Sequence, residues 1–192
     1  LTIFSPLIEG GTTQLPVLII RLILLVGLGS WLLVGLYRSR LCFPWAGLWW
    51  PIAALLGWSG LSLLWSPYTN VSLQWFLSLL LYAVFFLMIL LGTDSEKRLQ
   101  GFLLLILLMG IFEGGLGIIQ YLYGGESRAK GTFFNPNFFS TYETVSAVLA
   151  MSLLWFGGEY GKIAKLFLIV TATISGTAVI LAQSRGGAAA FL

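Results

Sequence analysis

The chain has no histidine and a single cysteine, Cys42, in 192 residues. The missing imidazole removes the side chain that most often moves protons near neutral pH. One thiol excludes an internal disulfide and a cysteine-built metal site. Charge is equally scarce. Ten Lys or Arg stand against seven Asp or Glu, so 9% of the chain is charged and the net charge is +3. Soluble domains carry about 25% charged residues because most of their surface must meet water. A cytosolic enzyme, a disordered tail and a nucleic-acid-binding module are thereby disfavoured, the last also because the basic residues are few and scattered. There is no Walker loop, no Cys/His cluster and no acidic pair of the DxD kind, so metal-dependent sugar-nucleotide chemistry has no support, and no cofactor is implied.

What the chain does have is long apolar runs, 58% of its residues being hydrophobic. Lipid offers backbone N–H and C=O groups no partner outside the chain, so runs of about 20 apolar residues imply helices. The expected architecture is all-α, a polytopic transmembrane helix bundle of about six full spans, near 16–36, 43–65, 75–92, 101–123, 138–156 and 163–183, with partial spans at both ends. Residues 1–8 read as the tail of an earlier span. The start at Leu1 and the stop inside an apolar segment read as one piece of a longer protein. Trp45, Trp49 and Trp50 open the second span, Trp65 closes it and Trp75 opens the third, as interfacial anchors do. An outer-membrane barrel is excluded, because its strands would alternate polar and apolar residues.

Lys and Arg in the loops set orientation. Arg38 and Arg40, Lys97 and Arg98, and Lys162 and Lys165 fall on one side, which is expected to be cytoplasmic. Arg128, Lys130 and Arg185 fall on the opposite side, where basic residues hinder translocation and need a reason to be kept. Two readings fit: they bind an anion at the outer leaflet, or they touch lipid headgroups.

The loop from Gly124 to Asn137 contains Arg128, Lys130 and Gly131, then Asn135-Pro136-Asn137. Asn before Pro is a helix-start signal, so a span begins here with its unpaired N–H groups at the outer interface, where they favour a phosphate or carboxylate. The plainer reading is that Asn135 only caps its helix. Ser184-Arg185-Gly186-Gly187 is a second break on the same face. Either Ser184 caps the next helix and Arg185 occupies a first turn that disfavours a cation without an anion, or Arg185 closes the preceding span. Arg21, Glu113 and Glu143 fall within apolar runs, where ionisable groups face a bundle interior or a cavity. Glu143 is positioned to orient Arg128 or Arg185. Glu113 and Gln120 share a helical face flanked by Gly110 and Gly114, a pattern that also reads as ordinary close helix packing. Arg21 is expected to snorkel outward.

At Arg128-x-x-Gly131-x-Phe133-x-Asn135-Pro136-Asn137, followed by Ser184-Arg185-Gly186-Gly187, the sequence resembles the O-antigen ligase and polymerase superfamily of bacterial inner-membrane proteins. The stretch Leu61-Ser62-Leu63-Leu64-Trp65-Ser66-Pro67 and the Gly117–Gln120 turn are similar to that family's first half. The resemblance implies metal-independent transfer of an undecaprenyl-diphosphate-linked saccharide to an acceptor, a glycolipid in the ligases of lipopolysaccharide biosynthesis, at the periplasmic face. It implies a catalytic histidine in a large loop that these residues do not include. It makes Arg185 the first donor-diphosphate residue, with Arg128 and Lys130 beside it and Gly131, Asn135, Asn137, Ser184 and Glu143 in support. Two alternatives stand: a polymerase of the same superfamily, and a transporter of small anions such as bicarbonate.

Overall fold

The structure is a computed structural model that describes residues 14–37, 47, 49–93 and 95–191. Every regular element among them is a helix. In chain order they are α1 (Gln14–Tyr37), α2 (Trp49–Ser62) with a 3-10 turn at Leu63–Trp65, α3 (Thr69–Gly92), α4 (Glu96–Tyr123), α5 (Pro136–Phe156), α6 (Lys162–Leu181) and α7 (Arg185–Phe191). The chain divides into two compact units, residues 21–98 and the remainder.

In the first unit α1 and α3 are apolar nearly all round, which is the pattern of a helix surrounded by hydrocarbon. Leu33 is 69% and Val26 67% exposed. Such surface aggregates in water and is at home in lipid. Trp49 on α2 meets Phe86 on α3 edge to face, ring centroids 5.6 Å apart. Arg21, expected to snorkel outward, has a partner on a neighbouring helix. Its guanidinium donates to the Ser78 hydroxyl at 3.3 Å, so a neighbouring helix supplies the polar partner that lipid withholds.

Among the described residues four helices are long and apolar enough to cross a membrane: Val17–Tyr37, Thr69–Gly92, Glu96–Tyr123 and Lys162–Leu181. Six full spans are expected, and these four are what the described residues show. Of the run 43–65, residues 49–62 form α2. The first residues of that run, like residues 1–8, Arg38, Arg40, Cys42 and Trp45, lie outside the described residues. The run 138–156 does form a helix, α5, but its first three turns carry Asn137, Ser140, Thr141, Glu143, Thr144 and Ser146.

Those polar residues explain the second unit. On α5 the buried positions are Phe139, Ser140, Glu143, Thr144, Ser146, Ala147 and Ala150, one face at helical spacing. That face packs chiefly on α6, whose buried residues include Thr171, Ser175, Ala178 and Val179. Close approach to α4 comes at its small residues: a methyl group at Gly117 would collide with the Phe139 ring, and one at Gly110 with Ser146. The core here is thus small and polar at one level and aromatic at the next, where Phe133 stands edge to face with Phe139 at 5.9 Å.

Candidate functional site

The loop between α4 and α5 is fastened to α4 from below. The Glu113 carboxylate, fully buried, accepts from the Thr132 backbone N–H at 2.9 Å and from the Thr132 hydroxyl at 2.8 Å. Gln120 donates through Nε2 to the Gly131 carbonyl at 3.0 Å. The stripe of Glu113 and Gln120 is therefore a loop clamp, and the glycines beside it are the packing surface. Gly131 has φ +57°, a conformation that suits glycine, and a methyl group there would meet Glu113 and the Phe139 ring.

Clamped this way, the loop reaches the C-terminal end of α6. Ala129 donates its N–H to the Leu181 carbonyl at 3.1 Å. The Arg128 guanidinium donates to the Ala182 carbonyl at 2.7 Å and the Gln183 carbonyl at 3.4 Å, and to Asn137 Oδ1 at 2.9 Å. A cation on the last carbonyls of a helix complements both the orphan acceptors and the dipole. Gln183, with φ 49°, turns the chain so that a new helix begins two residues later. Ser184 then caps α7, accepting from the Gly187 N–H at 3.3 Å. Of the two readings left open by the sequence, Arg185 thus occupies a first turn.

Asn135 behaves as the Asn-Pro pair foretold: its side chain accepts from the Asn137 N–H at 2.8 Å, with Pro136 opening α5. Gly187 brings the backbone of α7 against α5 beside Ser140, and its carbonyl lies 3.4 Å from the Thr144 hydroxyl. The product of these contacts is an open depression of about 420 Å³ lined by Arg128, Asn137, Thr141, Gln183, Ser184, Arg185, Gly186 and Gly187. Two guanidiniums line it and no carboxylate does. Arg185 is exposed there and has no hydrogen bond or ion pair among the described residues. Such a surface is complementary to an anion.

The structure therefore brings together Arg128, Asn137, Ser184 and Arg185. It does not bring in Lys130, which pairs with Glu126 at 2.7 Å, nor Gly131 and Asn135, whose roles lie in the clamp and the cap. Glu143 does not orient either arginine. It is fully buried and neither carboxyl oxygen has a hydrogen bond, because its helical position turns it toward α4 and α6. Thr141 and Gln183 were not anticipated. Thr141 lies one turn beyond Asn137 on the same face, a signal that the spacing contained. The left-handed turn at Gln183 had none. Among the described residues no three His, Cys, Asp or Glu side chains gather in one place.

No protein-family model matches this chain, and neither a curated protein nor a solved structure does.

Proposed function

We propose that this chain is the donor-binding part of a membrane glycosyltransferase of the O-antigen ligase kind. In this reading it takes a saccharide from undecaprenyl diphosphate at the periplasmic face of a bacterial inner membrane and passes it to a glycolipid acceptor. The observation that carries the reading is the depression lined by Arg128 and Arg185 without a carboxylate. A polyprenyl diphosphate keeps its tail in the bilayer and its charge at the headgroup level. Cations fixed at that level would stabilise the charge that develops on the diphosphate as it leaves. The two arginines differ in task. Arg128 is already bonded to three acceptors, so it shapes the rim, whereas Arg185 has its donors free for the ligand.

Arg185→Ala in the full-length protein is expected to abolish transfer, and Arg185→Lys to retain a small fraction of it, since an ammonium cannot make the bidentate contact. Transfer is read as surface polysaccharide in cells and as product from a lipid-linked saccharide in vesicles, with membrane insertion checked in parallel. Wild-type transfer by a correctly inserted Arg185→Ala protein would refute the assignment.

A further inference from the structure

Hydroxyls inside apolar helices ordinarily bond their own backbone four residues back. In α5 and α6, Thr141, Thr144, Thr171 and Thr173 all do so, at 2.8–3.0 Å. Three buried serines do not: Ser140 on α5, which lies against Gly187 of α7, and the pair Ser146 on α5 and Ser175 on α6. All three are 0% exposed and their hydroxyl oxygens have no hydrogen-bond partner. Glu143, one turn before Ser146 and equally buried, leaves both carboxyl oxygens unpartnered. Ser175 comes near this carboxyl, yet no well-formed hydrogen bond joins them.

Glu143, Ser146 and Ser175 converge on one face of α4. A methyl group at Gly110 would collide with Ser146 and come within 3.2 Å of the Ser175 hydroxyl, and one at Gly114 would stand 3.0 Å from a Glu143 carboxyl oxygen. Two glycines thus keep an apolar wall from closing on the oxygens. Among the described residues no basic side chain bonds the acid, and Arg185 of α7 is exposed in the depression. Arg128 is spent on Asn137 and the carbonyls that end α6, and Lys130 on Glu126. The other titratable groups that bear on Glu143 are Glu113 of α4, held by Thr132, and Tyr142, its neighbour on α5. From α6 the polar group is Ser175, and α7 meets α5 through Gly187, which carries no charge.

A buried carboxyl of this kind is either protonated or paired with a cation, and no side chain among the described residues supplies one. We infer that Glu143, Ser146 and Ser175 form an intramembrane site for one small monocation, a proton or Na+, with the carboxylate balancing its charge and the two hydroxyls completing an all-oxygen ligand set. One acidic group and three residues are too few for Ca2+, which takes six to eight oxygens. This site is separate from the arginine-lined depression, and its test does not depend on saccharide transfer.

The test is the thermal midpoint of the full-length protein in nanodiscs, followed by tryptophan fluorescence in NaCl or N-methylglucamine chloride at equal ionic strength, across pH 5.5–8.5. If Na+ is the occupant, the wild-type midpoint rises with Na+ concentration at pH 8 and not with N-methylglucamine. If a proton is the occupant, the midpoint falls as pH rises in both salts, because a site that binds a proton in the folded state empties. In either case Glu143→Gln, which keeps the shape and removes the charge, abolishes the response. The double variant S146A/S175A raises the half-saturating Na+ concentration roughly tenfold or shifts the pH response. A wild-type midpoint indifferent to both cations overturns the proposal, as does a response that survives Glu143→Gln or is lost only in Glu113→Gln. Should Glu143→Gln fail to fold, an unchanged response in S146A/S175A overturns it equally.

Discussion

Arg128 and Arg185 look alike in the sequence, two basic residues expected on the side of the membrane that tends to exclude them. Their surroundings separate them. Arg128 sits where helix α6 runs out of partners for its carbonyls, so its charge is used within the fold, while Arg185 follows a capping serine and points its charge outward. Lys130 is separated from both by its bond to Glu126. The residue that keeps Arg128 in place is Gly131. Its left-handed backbone and its contact with Glu113 and Phe139 leave no space for a side chain. Gly131→Ala costs about 1–2 kcal/mol for the backbone alone, and the clash with a packed carboxylate and ring adds about 1–3 kcal/mol. The expected outcome is a markedly lower thermal midpoint together with loss of the arginine-lined depression, since the loop that carries Arg128 lifts away. An unaltered midpoint in the Gly131→Ala protein would show that the loop is not held in this conformation.

At the scale of elements, the sequence disclosed most where local chemistry decides the structure. Asn135-Pro136 starts α5 because a side-chain acceptor and a residue without an N–H are what the first turn of a helix needs, and the structure begins α5 there. The apolar runs became α1, α3, α4 and α6 for an equally local reason. The partners of Glu113, Gln120 and Glu143 were not legible, because they depend on how far each helix is rotated about its axis. Spacing placed Glu113 and Gln120 on one face, but only the packing shows that this face holds a loop and that Glu143 faces α4 and α6. The depression was half legible, since a cap at Ser184 with Arg185 in a first turn was one of two readings the sequence left open, while the twist at Gln183 had no signal. The cap gives a direct measurement: Asn135→Ala is expected to cost about 1 kcal/mol, and Asn135→Asp to cost little, as the aspartate also accepts from the Asn137 N–H. Thermal midpoints of the two variants check it, and equal losses in both would mean that the cap is not what Asn135 contributes.

At the scale of the whole molecule, the sidedness of the helices links the charge count to the proposed site. Bonds from Arg128 to Ala182 and from Ala129 to Leu181 put the loop after α4 and the end of α6 at one level. The basic residues Lys97, Arg98, Lys162 and Lys165 stand instead at the opposite ends of those same helices, the starts of α4 and α6. At 28 and 20 residues, the two helices run about 42 Å and about 30 Å, enough to span the hydrocarbon. Positive residues are retained on the cytoplasmic side, so the depression is expected to face outward. Replacing Cys42, the one cysteine of these 192 residues, and any cysteine elsewhere in the full-length protein by serine provides a background for single reporter thiols. Ser127→Cys, in the loop beside Arg128, is expected to react with a membrane-impermeant maleimide applied outside intact spheroplasts. Glu159→Cys, in the turn before α6, should react only after the membrane is opened. The reverse pattern would place the arginines on the cytoplasmic side, where a lipid-linked donor displayed on the outer leaflet could not reach them, and the glycosyltransferase reading would fall with it. The Glu143 site, lying within the helices, would be untouched by that result.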